Sequence, residues 1–219
     1  MTGFPGSPRL LKGGIVLIDP TTAAIVRVIT LQYNPDTLSR TLQVQAMDGE
    51  GGDRLEALRL KAPPVEVIKL EAEIDATDQL EFPDQNPLVT DVGIYPQLAA
   101  LETIVYPASA QLQANDILAQ TGTLEIAPIE APLTLFIWSR TRVLPARITE
   151  FSITEEAFDT ALNPIRAKIS LGLRVLSVTD LGFGHKGGML FMAYLQGKER
   201  LAGRSPAASL SATGIGGIP

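Results

Sequence analysis

The sequence predicts a mainly β fold, an antiparallel β-sandwich or barrel with one or two peripheral helices. Two observations lead there. Residues 165–178 hold the longest clean period-two run in the chain, with Ile165, Ala167, Ile169, Leu171, Leu173 and Val175 on one face, the mark of a half-buried strand. Several other runs are short, rich in β-branched residues and bounded by turn chemistry such as Asp19-Pro20, Asn34-Pro35 and Asn163-Pro164.

The elements follow in order. Residues 1–13 are Gly/Pro-rich and read as a flexible arm. Residues 14–20 and 24–33 read as two strands joined by the turn Asp19-Pro20-Thr21-Thr22, and Asn34-Pro35-Asp36 stops the second. Residues 38–45 alternate Leu38, Arg40, Leu42 and Val44 against polar partners, which predicts a third strand. Residues 46–61 carry Asp48-Gly49-Glu50-Gly51-Gly52-Asp53 and read as a polar loop. They lack the spaced ligands and closing Glu of an EF-hand and the Gly-Lys-Ser/Thr of a phosphate loop. In 65–75, Val65 and Val67 alternate first, then Leu70, Ala72 and Ile74. That change of phase predicts a strand with a register break near Ile68-Lys69.

Residues 82–87 read as a loop. Leu98, Leu101, Ile104 and Val105 recur at helical spacing, predicting a helix over 95–106 closed by Pro107. Residues 108–131 are weakly patterned and read as a linker or insertion. Residues 132–138, 143–148 and 150–155 read as strands, and 158–164 as a turn into the run 165–178. Residues 190–200 predict a short helix after the Gly-rich bend at 182–188, and 203–219 read as a disordered tail. The domain plan is an arm (1–13), a β domain (14–178) and a C-terminal docking extension (179–219), partly disordered alone.

Composition narrows the function. The chain has 219 residues, no cysteine and one histidine, His185. Disulfides, thiolate metal sites and a single-chain His-rich site are thereby removed. The net charge of −6 argues against general affinity for nucleic acid or anionic membrane. No secretory signal or membrane span is read, so the expectation is a protein made in the cytoplasm, with no membrane insertion. His185 lies between glycines with no nucleophile elbow in the chain and reads as an exposed loop residue. Glu155 and Glu156 are strand neighbours that point to opposite faces, a poor acid/base pair. Trp138 and Phe151 read as core. Arg140, Arg142 and Arg147 form the densest basic patch and read as a solvated strand end, a pore lining or a contact with an acidic neighbour. No catalytic residue, metal ligand or cofactor is predicted, and the chain is not read as an enzyme.

Four ordered blocks carry a resemblance. Tyr33-Asn34-Pro35-Asp36-Thr37-Leu38-Ser39-Arg40 resembles the F/Y-N-P-x-x-L-x-R entry of the tube-like proteins of contractile injection systems, the phage-tail-like particles of bacteria. Residues 132–138, ending in Trp138, resemble their P-L-x-F-x-W-G strand, with Ser139 in place of the Gly. Residues 143–153, including Phe151, are similar to the next strand. Phe158 through Asn163, Pro164, Arg166 and Ala167 resembles their F-x-x-x-x-x-P-x-R-A hairpin. Within that family the chain most resembles the baseplate component that often carries a C-terminal LysM module, although residues 179–219 show no LysM-like repeat.

The resemblance implies a tail-tube type of β-sandwich or barrel and a structural role without catalysis. It implies a homo-oligomer, a six-fold ring stacked coaxially with inner tube subunits and the spike or hub protein, beside other baseplate or sheath subunits. Such a ring would be assembled into a particle that is cytoplasmic, membrane-anchored or released. Arg140, Arg142, His185, Phe191 and Tyr194 are the candidate contact residues. Two other readings stay open: an inner tube or tube-terminating subunit of the same particle, and a stand-alone β-rich binding module.

Overall fold

A computed structural model describes residues 11–46, 59–120, 122, 131–206 and 210–213. Most of the predicted arm, the acidic glycine-rich segment 48–53 and most of the tail beyond 206 lie outside the described residues. The chain is mainly β. Its strands are β1 (Gly14–Ile18), β2 (Ile25–Thr30), β3 (Leu38–Ala46), β4 (Leu60–Asp75), β5 (Leu133–Ser139), β6 (Arg142–Phe158) and β7 (Pro164–Val175). Its α-helices are α1 (Thr77–Leu80), α2 (Pro87–Val92), α3 (Tyr95–Glu102), α4 (Ser109–Gln120), α5 (Val178–Leu181) and α6 (Lys186–Ala202).

All seven strands join one antiparallel sheet in the order β2-β1-β5-β6-β7-β4-β3. β2 and β3 are its two edges. Asp19 shapes the β1–β2 turn by accepting hydrogen bonds from the amides of Thr21 and Thr22. β1 is buried at all five positions, which explains its unbroken apolar run. Ile15 and Leu17 enter the main core, while Val16 and Ile18 pack with Leu133 and Leu135 in a second cluster.

β6 spans what the sequence divides into two strands. Its first part pairs with β5 and the remainder with β7, and the ladder shifts between Ile148 and Glu150. The extra residue at Thr149 bends β6 locally and adds to the twist of the sheet. The curl brings the far edge round: the Gln32 amide, just past β2, exchanges hydrogen bonds with the backbone of Asp75 on β4.

Other expectations need correction as well. β4 has no break at Ile68-Lys69, because its pairing with β3 and β7 runs in constant register there. Glu66, Ile68, Leu70 and Ala72 are the buried phase, so the apparent slip is a buried glutamate where an apolar residue was expected. The segment 108–131, read as a linker or insertion, carries α4 in its first half, without a buried residue, and most of its second half lies outside the described residues. The helix from Tyr95 stops at Glu102, and turns carry the chain to Pro107.

The C-terminal helix is longer than its pattern suggested and starts at Lys186. It buries Phe191 and Tyr194 in the main core. The β domain and this part of the extension therefore share one core. The loop predicted at 82–87 contains a short 3-10 turn (Pro83–Gln85) and opens into α2.

Candidate functional site

The family-like residues divide into those that build the fold and those that face water. Asn34 holds the incoming chain: its Oδ1 accepts the Gly13 amide at 2.9 Å and its Nδ2 donates to the Leu11 carbonyl at 2.8 Å. Tyr33 and Pro35 flank it in the β2–β3 connection, and Tyr33 is exposed. Trp138 stacks on Phe136 at 5.9 Å between centroids, and Phe151 packs on the core from β6.

The β6–β7 turn rests on Asp159, whose Oδ1 accepts the amides of Ala161 and Asn163. Asn163 Nδ2 donates to the Asp91 carbonyl, and the Pro164 carbonyl accepts the Ile94 amide, which ties α2 and α3 to the hairpin. Arg166 bonds Asp75 at 2.8 Å across β7 and β4. Phe158 is 49% exposed.

Arg40 leads to what sequence reasoning missed. Glu66 is 3% exposed. Its Oε1 accepts Arg40 Nε at 2.8 Å and Nη2 at 2.6 Å, and the Tyr194 hydroxyl at 3.3 Å. Its Oε2 accepts Lys198 Nζ at 3.0 Å. Lys198 also lies 4.2 Å from the Tyr194 ring centroid, within cation–π range. Burial pushes the Glu66 carboxyl up, but the hydrogen bonds and charges of Lys198 and Arg40 outweigh it and hold the group below the ordinary glutamate value. The signal was available: in the phase 66, 68, 70, 72 the glutamate is the one polar residue, and Arg40 shares that face on the neighbouring strand.

The candidate contact residues fare differently. Arg140 sits exposed on the β5–β6 turn and Arg142 half-buried at the start of β6. His185 is not an exposed loop residue. It is half-buried and caps α6, its Nδ1 accepting the Gly187 amide at 3.0 Å. Phe191 and Tyr194 are 6% and 7% exposed. The chain's own sheet consumes them, so they are core residues rather than contact residues.

Two of the exposed apolar surfaces among the described residues are the sheet edges. In β2, Ile25, Val26 and Val28 are 68%, 57% and 55% exposed, so apolar side chains meet water on both faces of the strand. In β3, Leu42 and Val44 are exposed as well. Each edge strand pairs on one side only, leaving backbone donors and acceptors directed outward. Between the edges, the outer face of β4, β6 and β7 carries cross-strand pairs, Lys69–Glu150 at 2.7 Å and Lys168–Glu156 at 2.9 Å. Exposed pairs of this kind add little stability.

The chemistry of the interior is sparse. A cleft of about 360 Å³ lies between β2, α3, β4 and β7 and is walled mainly by apolar residues, with Gln97 on its lining. Among the described residues, no group of three or more His, Cys, Asp or Glu is placed to hold a metal. No helix among them is long and apolar enough to cross a membrane. In comparison with known proteins, neither a family model nor a curated sequence matches this chain.

Proposed function

We propose that the chain is a structural subunit of a bacterial contractile injection system. In this reading it forms a baseplate or tube-adaptor ring that joins the inner tube to the spike hub. The observation that carries it is β2, an edge strand with apolar side chains exposed on both faces, at the opposite end of the sheet order from a second edge with exposed Leu42 and Val44. Long apolar edges are a liability unless another strand covers them. Pairing β2 of one copy with β3 of the next is a heterologous contact, and such contacts close into rings when the rotation allows. The polar face of β4, β6 and β7 suits the wall of an aqueous channel. Six-fold symmetry enters through the sequence resemblance.

The mechanism is geometric. The ring sets a diameter and a symmetry, seeds or adapts the tube and holds the hub until the sheath contracts. The test is to tag the chain in its host, sediment the lysate and image the tagged fraction by electron microscopy. Label at one end of sheathed rods supports the adaptor reading. Label along the rod makes the chain a tube subunit, and a tag that stays soluble without particles overturns both. Val26→Lys with Val28→Lys, which puts charge on the β2 edge, should remove the chain from particles while leaving it folded.

A further inference from the structure

The two edges leave unexplained an apolar hairpin tip in an acidic setting and a basic cleft at the other end of the same strand. We propose that the β6–β7 tip of one copy seats in the cleft between β4 and α6 of a second copy. This contact runs along the strands and uses neither β2 nor the ring contact proposed above.

The tip is built to hold apolar groups in water. Leu162 has φ +65° and is 78% exposed. Leucine is disfavoured in that left-handed region, where Gly or Asn is at ease. Within the chain the leucine brings strain and gains little packing. Strain kept at an exposed position points to a contact outside the chain. Phe158 stands beside it at the base of a turn fixed by Asp159.

The tip's surroundings are acidic. Asp78 on α1, Asp91 on α2, Glu81 and Asp84 between those helices, and Glu155 on β6 are exposed. From residue 76 to 139 the sequence holds no Lys, Arg or His. The nearby Arg166 and Lys168 are already matched to Asp75 and Glu156.

The cleft is the complement. It measures about 340 Å³ and is walled by Leu60, Pro63, Pro64, Phe191 and Leu195, with Lys61 and Lys198 on its lining. An apolar cavity of about 150 Å³ already accepts benzene, so a leucine or phenylalanine side chain fits this one. Glu66, its lining carboxylate, is bonded to both Arg40 and Lys198, so with Lys61 the charged side chains at the cleft among the described residues sum to a positive charge.

Distance makes the occupant a second copy. Asp75 of β4 pairs with Arg166 at the tip end, while Glu66 borders the cleft. Those nine strand steps span roughly 30 Å at about 3.3 Å per residue, so a tip cannot reach its own cleft. Tip and cleft are different patches, so the contact is heterologous and propagates.

The chain has no cysteine, so the test is clean. The full-length double variant Ala161→Cys with Pro64→Cys, which keeps Leu162, is oxidised at low ionic strength and run without reductant. The expected result is a ladder beyond dimer that fades in about 1 M salt, where the screening length is about 3 Å. Each single variant can give dimers only. A double variant that stops at dimer overturns the proposal.

Leu162→Gly supplies the second readout, since it relieves the positive φ and keeps the fold. Sedimentation velocity should show the association constant fall by about tenfold or more, the least expected from losing a buried leucine. An unchanged constant, or a chain monomeric at every concentration, overturns the tip contact. Self-association lost in the β2 lysine variant and kept in Leu162→Gly would assign it to the sheet edge and overturn this inference alone.

Discussion

Arg40 and Glu66 meet across β3 and β4 at 2.6 Å, and the same carboxylate takes Lys198 from α6 at 3.0 Å. One buried charge therefore ties an edge strand of the sheet to the C-terminal helix. The two cations differ from the anion in their access to water. The side chains of Arg40 and Lys198 are 25% and 35% exposed, against 4% for Glu66. Removing a partner from a buried charge costs more than removing the charge itself.

That asymmetry sets the first prediction. Arg40→Leu should destabilise the chain by about 3 kcal/mol, because it strips the buried Glu66 of two hydrogen bonds and a charge. Glu66→Leu should cost about 1 kcal/mol or less, because both cations can turn to solvent. Urea denaturation of both variants checks the order. Hydrogen exchange should also rise across residues 186–202 in Arg40→Leu, since α6 loses part of its anchor. A larger loss for Glu66→Leu would mean that the carboxylate, not the arginine, organises the node.

Acid sensitivity follows from the same group. Glu66 lies below its ordinary value, as do Asp75 and Asp180. Thr77 leads the lowering at Asp75, with Arg166 behind it. At Asp180 burial pushes up, and the Ser177 amide and hydroxyl together with Arg174 outweigh it. A carboxylate with a lowered folded pKa binds its proton more readily in the unfolded chain, so stability is lost as pH falls. Stability should be level from neutral pH to about 5 and drop as pH passes below the free-glutamate value of about 4.3. Urea midpoints against pH check this, and Glu66→Gln should flatten part of the acid limb. A midpoint that rises on acidification contradicts the sign.

Much of the fold was legible because the apolar residues alternate where one face is buried. β7 is the clearest case: Ala167, Ile169, Leu171, Leu173 and Val175 all point into the core. The break expected in β4 arose from one assumption, that an inward position is apolar. Glu66 violates it, and no single-strand pattern names the Arg40 and Lys198 that make the violation tolerable. α4 was illegible for a related reason. It buries nothing, so no core imposed a stripe on its sequence. Phe191 and Tyr194 read from sequence as contact residues on a separate extension, whereas tertiary packing folds α6 back onto the sheet. The apolar edges β2 and β3 appeared in the sequence only as strands, because edge position is a property of sheet order.

The join between α2, α3 and the hairpin makes a third prediction. Gly93 has φ +61°, and a Cβ there would collide with the Pro164 carbonyl oxygen. That oxygen accepts the Ile94 amide, so it cannot move away without losing the bond. Gly93→Ala combines backbone strain with a steric clash and should cost at least about 2 kcal/mol. Thermal melts of the variant check it, and a melting temperature at or above that of the parent would show that the join is plastic.

Gln97 supplies the last prediction, in the opposite direction. Its Oε1 is shut from solvent on the lining of the 360 Å³ cleft and has no hydrogen-bond partner among the described residues. A buried acceptor left unmade costs about 1–3 kcal/mol. Gln97→Met keeps the length of the side chain and removes the unsatisfied oxygen, among apolar neighbours such as Leu101, Ile169 and Leu171. The variant should gain about 1 kcal/mol in urea denaturation. A loss of that size would mean that the amide of Gln97 makes a bond that the apolar lining cannot replace, and that the cleft is organised by a polar contact rather than by its walls.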